Sequence, residues 1–251
     1  MRELSLGGTN DVTELLCVGA HSDDIEIGCG AAILSLLEAH PTINVTWVVF
    51  SASGSRAQEA RQGAEAFLTR ASRTSRRDVV LHDFRDGYFP SQSAAIKNSF
   101  EQLKKRVNPD VVFTHFRDDR HQDHRVLSEL AWNTFRNHFI LEYEIPKYDG
   151  DLGSPNVFVP VSEQVALKKA KSVCSIFRSQ AGHHWFTEDL FLALMRIRGV
   201  ECCSPSGYAE AFYSRKVVLS CVWDGRTNAE DRRRARSAVE VRGRSSKRTR
   251  K

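Results

Sequence analysis

The stretch ELLCVGAHSDDIEIGCGAAILSLLEAHP, residues 14–41, decides the fold. Residues 14–20 form a short apolar run ending in small side chains, the pattern of a strand buried on both faces. Residues 29–40 are helical in composition, and Pro41 favours a stop at His40. Between the two lies a polar turn with one histidine and two carboxylates, His21, Asp23 and Asp24.

The same alternation continues down the chain. INVTWVVFS (43–51) is rich in β-branched and aromatic residues and reads as a strand. SRAQEARQGAEAFLTRA (55–71) is made of good helix formers. RDVVLHDF (77–84) reads as a third strand. Residues 93–107 place Ile96, Phe100, Leu103 and Val107 at helical spacing. PDVVFTHF (109–116), HRVLSELAWNTFRN (124–137) and HFILEYEIPKY (138–148) read as strand, helix and strand. This rhythm predicts an α/β fold, a Rossmann-like and mostly parallel sheet with helices on both faces. The second half is less regular: residues 165–180 and 188–200 look helical, and AFYSRKVVLSCVW (211–223) looks like a late strand.

Charge divides the chain. Its net charge is +5, yet residues 225–251 hold eleven Arg or Lys against three acids, a local +8 that leaves the remainder near −3. We expect one α/β domain over residues 1–224 and a disordered basic tail over 225–251. The tail reads as a solvated segment rather than a nucleic-acid arm, although a basic stretch is also what a nucleic-acid-docking protein would carry. No run approaches 18 apolar residues, so no membrane span is expected, and the N-terminus lacks the apolar core of a signal peptide. A cytoplasmic protein is the expectation. The six cysteines show no C-x-x-C pair and read as reduced thiols. Gly28 and Gly30 begin a G-x-G, but Ile33 stands where a dinucleotide turn needs its third glycine, so tight helix–strand packing is the reading.

Open α/β sheets bind ligands beyond the carboxyl ends of their strands. His21, Asp23 and Asp24 lie there after the first strand. A second polar cluster, THFRDDRHQDHR (114–125), lies there after the fourth, and contains His121, Asp123 and His124. Alone, Asp23 and Asp24 would suit a helix cap, and His121 and His124 a solvated loop. Together the two clusters supply what a catalytic zinc site needs: two histidines and a carboxylate, with a spare carboxylate as base and a spare histidine as proton donor. Two His and one Asp also accept iron (Fe2+) or cobalt. His183 and His184 form a further pair, read as an aromatic-flanked helix start. His82 and His115, at strand ends, read as partners for backbone groups.

AHSDD (20–24) and HQDH (121–124) resemble the paired motifs A-H-P-D-D and H-x-D-H of the zinc-dependent N-acetylglucosaminyl deacetylases of the PIG-L/LmbE-like family. The resemblance covers about Leu15 to Trp132, with Ser22 in place of the usual proline. It implies that His21, Asp24 and His124 hold Zn2+, that Asp23 is the general base, and that His121 is the oxyanion stabiliser or acid, tuned by Asp123. An Arg-x-x-Glu match at Arg56 and Glu59, and Asp86 in FRDGYFP, imply that Arg56 and Asp86 contact the substrate. The implied reaction is removal of acetyl from an N-acetylated amino sugar or conjugate. An amidase on another sugar-linked amide, or a non-catalytic metal-binding protein docking nucleic acid through the tail, remain as alternatives. An oligomer is left open.

Overall fold

The computed structural model describes residues 12–218, and the expected basic tail lies outside them. Seven strands and six α-helices follow in the order β1 (Glu14–His21), α1 (Asp24–Ala39), β2 (Asn44–Ser51), α2 (Gly54–Phe67), β3 (Arg77–Leu81), α3 (Phe89–Arg106), β4 (Val111–His115), α4 (Gln122–Thr134), β5 (Phe139–Tyr143), β6 (Val157–Val161), α5 (Glu163–Ile176), α6 (Glu188–Glu201) and β7 (Tyr208–Tyr213). They build one sheet in the order β3-β2-β1-β4-β5-β7-β6. Strands β1 to β5 are parallel, and β7 is antiparallel to both β5 and β6. The alternation in the sequence therefore predicts the fold class correctly.

Apolar clusters line both faces of the sheet. On one face α1, α2 and α5 cover Leu15, Cys17, Val45, Trp47 and Phe113. On the other, α3 and α4 cover Leu16, Val18, Val48, Phe50 and Val112. Successive residues of β1 and β2 thus point into opposite cores, which is why both strands read as unbroken apolar runs rather than alternating ones. The chain runs outward from β1 to β2 and β3, then crosses back to β4 and β5. The β1/β4 boundary is therefore the topological switch point, where a crevice opens beyond the strand ends.

Helix α1 begins at Asp24, five residues earlier than its composition suggests, because Ile25, Ile27 and two glycines mask its start. The glycines are packing devices. A Cβ on Gly28 would lie 2.1 Å from Tyr143 of β5, and one on Gly30 would lie 2.4 Å from Phe67 of α2. The irregular second half ties back onto this helix. Glu210 of β7 accepts the backbone N–H groups of Ala31 (3.0 Å) and Ala32 (2.6 Å). Lys169 of α5 pairs with Glu210 and donates to the Ile27 carbonyl at 2.5 Å.

One strand is missing from the sequence reading and the bounds of another need correcting. VFVPV, residues 157–161, is β6, and its Pro160 hides it: proline lacks a ladder donor and fits only an edge strand, which β6 is. The late strand begins at Tyr208 and ends at Tyr213, earlier than residues 211–223, whose last five positions lie outside the described residues. Among the described residues, no helix is long and apolar enough to cross a membrane.

Candidate active site

Strand β1 delivers His21 as its last residue, Ser22 and Asp23 form a buried turn, and Asp24 opens α1. Strand β4 ends at His115, and after a short loop His121 caps α4, with Asp123 and His124 in its first turn. The two segments, about a hundred positions apart, meet at the switch point. His21 Nδ1 lies 3.2 Å from His124 Nε2 and 3.3 Å from Asp24 Oδ2, and His124 Nε2 lies 3.5 Å from the same oxygen.

These three separations have a simple reading. Ligands held at about 2.0–2.1 Å around a tetrahedral cation stand roughly 3.3–3.4 Å apart. Asp119 Oδ2 sits 2.8 Å from His124 Nδ1. That places the ring proton on Nδ1 and turns the Nε2 lone pair toward His21 and Asp24. Burial, helped by the neighbouring His115, pushes the His124 imidazole down to about 3, so it is neutral near pH 7. Burial opposes charge on Asp24, but the imidazoles of His124, His115 and His21 overcome it and hold the carboxyl well below its ordinary value. Burial likewise opposes charge on His21, yet Asp24, Asp123 and Asp86 raise it well above an ordinary histidine. The pocket is built to hold positive charge at this point. A divalent cation fits both the spacing and the donor set.

Among the described residues, three overlapping groups bring one ligand atom from each side chain to within 4.8 Å of the others. They are His21, His121 and His124; His21, Asp86, His121 and Asp123; and Asp24, His115 and His124.

Asp23 is buried beside this cluster, its Oδ1 2.9 Å from Arg56 Nη2 at the start of α2. Burial raises the Asp23 carboxyl and Arg56 pulls it back. Arg56 thus touches a carboxylate, while Glu59 turns away to accept the Ser179 N–H and hydroxyl, at 2.9 and 2.6 Å, tying α2 to the segment after α5. His121 keeps its imidazole below the ordinary value through burial and the nearby His21. Its Nδ1 accepts a long contact, 3.3 Å, from the Asp123 N–H. The Asp123 carboxylate does something else: it accepts the N–H groups of Gly87 (2.6 Å) and Phe89 (3.0 Å). It clamps the β3–α3 loop, in which Gly87 adopts φ +77°. That loop brings the exposed Asp86 to 3.0 Å from His21 Nε2.

Sequence reasoning missed the support behind His124. Lys147 holds Asp119 at 3.0 Å and Asp151 at 2.8 Å, and His115 stacks on the His124 ring at 3.9 Å. The fully buried His115 accepts the Ala20 N–H at 2.9 Å, so its reading as a backbone partner holds. The only sequence signal for Asp119 was a carboxylate in the loop before a ligand-type histidine. His183 and His184 are exposed and gather around Tyr148.

Residues 16–135 match the model of the family PIG-L, GlcNAc-PI de-N-acetylase. The chain is 31% identical over 188 residues to the uncharacterized deacetylase YaiS of Escherichia coli K12, covering 66% of this chain and 95% of that protein. The chain belongs to the PIG-L family. Its fold is similar to that of the conserved protein TT1542 from Thermus thermophilus (TM-score 0.62, 22% identity, 84% of this chain and 99% of that one). It is also similar to N,N'-diacetylchitobiose deacetylase from Pyrococcus horikoshii (TM-score 0.58, 20% identity, 81% and 84%). GalB, a 4-carboxy-2-hydroxymuconate hydratase from Pseudomonas putida, shares the fold too (TM-score 0.64, 18% identity, 84% and 100%). At such identities the likeness is one of fold, and the PIG-L fold carries more than one chemistry.

Proposed function

We propose that this PIG-L protein is a metal-dependent hydrolase that removes acetyl from an N-acetylated amino sugar or sugar conjugate. The observation that carries the reading is the near-tetrahedral spacing of His21 Nδ1, Asp24 Oδ2 and His124 Nε2, with the buried Asp23 beside them. Those three atoms would hold the cation, and Zn2+ is the metal their chemistry favours. When bound, the cation supplies Lewis acidity, acidifying a water and polarising the amide carbonyl.

The chain's own groups do the rest. Asp23 takes the proton of the attacking water. Its burial raises its basicity and Arg56 keeps it ionised and oriented, a balance that suits a base working near neutral pH. The oxyanion that develops at the carbonyl faces the His121 imidazole, which stabilises it by donating a hydrogen bond from Nε2–H, since Nδ1 accepts the Asp123 N–H. The amine then leaves after protonation from Asp23 or His121. Arg56 and Asp86 line the approach and contact sugar hydroxyls or the group attached to the sugar. The substrate is a small molecule, and its amide carries the reaction.

The test is a panel of N-acetylated sugars scored for free amine and acetate, with protein stripped by a chelator and then reloaded with Zn2+. Release from one or more sugars, abolished by stripping and restored by zinc, is the expected result. Undiminished turnover without bound metal would overturn the metal dependence. Release only from amides other than acetyl would overturn the substrate assignment.

A further inference from the structure

Four aromatic rings gather beside the crevice, and the hydrolysis described above uses none of them. Tyr148, from the loop after β5, stands edge-on to His184 at 5.0 Å, to Trp185 at 6.2 Å and to His183 at 6.4 Å between ring centroids. Its hydroxyl lies 3.4 Å from His183 Nδ1. The group is firm beneath and open above. Trp185 packs edge-to-face on Phe186, and Phe186 on the buried Phe191 of α6, so the base continues into the core. The backbone closes on itself: the N–H groups of His183, Phe186 and Thr187 donate to the carbonyls of Gln180 (2.9 Å), His183 (3.0 Å) and Trp185 (3.0 Å). On the solvent side Tyr148 is 59% exposed, and His183 and His184 are exposed too.

Both ends of this group are tied to the site. Ser179 binds Glu59, three residues beyond the Arg56 that holds Asp23. Tyr148 follows Lys147, which holds Asp119 behind His124. The rings thus lie between the Asp23–Arg56 pair and the Asp119–His124 pair, along one side of the crevice mouth. Each exposed ring joins an apolar body to a polar tip. A pyranose has the matching surface, a face of C–H groups rimmed by hydroxyls, whereas an alkyl chain would leave the phenol and imidazole nitrogens without partners.

We infer that Tyr148, His183, His184 and Trp185 form a subsite for a second sugar ring, so that the preferred substrate is an N-acetylated disaccharide. The acetylated ring lies at the cation cluster and its neighbour on the aromatic group. The inference rests on the hydrolase reading above and narrows its substrate class.

Full-length, zinc-loaded protein is assayed for amine release from N-acetylglucosamine, from its β-1,4-linked dimer and from its octyl glycoside. The dimer should exceed the monosaccharide in kcat/KM by roughly 3–10-fold, the worth of one well-placed aromatic contact. Tyr148→Ala and His184→Ala should bring that ratio back toward one by raising KM for the dimer rather than lowering its kcat. Tyr148→Phe, which keeps the ring, should retain most of the preference. A ratio of one in the parent, or a preference untouched by both alanine variants, would overturn the inference while monosaccharide release keeps the hydrolase reading standing. A kcat lowered equally on both sugars would overturn it as well, since the segment would then act on the catalytic groups. An octyl glycoside that gains as much as the dimer, and loses it in the same variants, would replace the second sugar by an alkyl group. No release from any of the three would overturn the hydrolase reading, and the subsite with it.

Discussion

Asp119 Oδ2 stands 2.8 Å from His124 Nδ1, and the other oxygen of the same carboxylate lies 3.0 Å from Lys147 Nζ. The pair sets the tautomer and angle of a proposed ligand from behind. Carboxylate partners of this kind raise ligand basicity and typically account for about 10–100-fold in metal affinity. Asp119→Ala should therefore lose roughly that factor in Zn2+ affinity by competition with a chelating dye. Its far-UV circular dichroism should be unchanged. Unaltered affinity would mean that the ring is held by His115 stacking alone.

The Asp23–Arg56 pair makes a prediction about pH. Asp23→Asn should bind zinc as the parent does yet lose about 10²–10⁴-fold in kcat. Arg56→Ala should lower turnover, since the base loses its orienting partner, and should also shift the acid limb. Arg56 lowers the Asp23 carboxyl against the rise caused by burial. Without it the base protonates at higher pH, so the acid limb of kcat/KM moves upward. A limb that stays in place, or moves downward, would show that Asp23 is not the base that limits the rate.

Asp123 separates two roles by kinetics. Its carboxylate holds the Gly87 and Phe89 N–H groups. Asp123→Asn retains one acceptor and loses the charge, so one end of the β3–α3 loop is released. If Asp86 on that loop contacts substrate, KM should rise several-fold. If Asp123 acts chiefly by tuning His121, kcat falls and KM stays. Steady-state kinetics on the reloaded protein decide between the two.

Much of this was legible in the sequence, and the reason differs from place to place. Strands β1 and β4 are buried on both faces, so their apolar runs stand out, and the polar clusters just after them mark the crevice. Strand β6 was not legible, because Pro160 argues against a strand until its edge position is known. His21, Asp24 and His124 could be named from motif, but Asp119, Lys147 and His115 could not. Their parts depend on partners brought close only by folding, and a lysine 28 positions beyond Asp119 carries no local signal. The partnership of Arg56 with Asp23 is likewise a matter of where α2 lands against the β1–α1 turn.

The second half of the chain supports the site through α1. Lys169 and Glu210 form a buried ion pair against that helix, and Glu210 also accepts the N–H groups of Ala31 and Ala32. A buried pair contributes little net stability, since desolvation offsets attraction, but removing one partner strands the other charge at a cost of about 3–5 kcal/mol. Lys169→Met should therefore lower unfolding stability by about that amount in urea titrations. The double variant Lys169→Met with Glu210→Gln leaves no net charge, and its amide oxygen can still accept one α1 N–H. It should cost clearly less than the two single changes added together, a coupling of roughly 1–3 kcal/mol. Because α1 begins at Asp24, the single variant should also weaken zinc binding while the double variant recovers it. Additive costs would show that the two groups act on α1 independently, and a zinc affinity indifferent to Lys169 would uncouple the second half from the metal cluster.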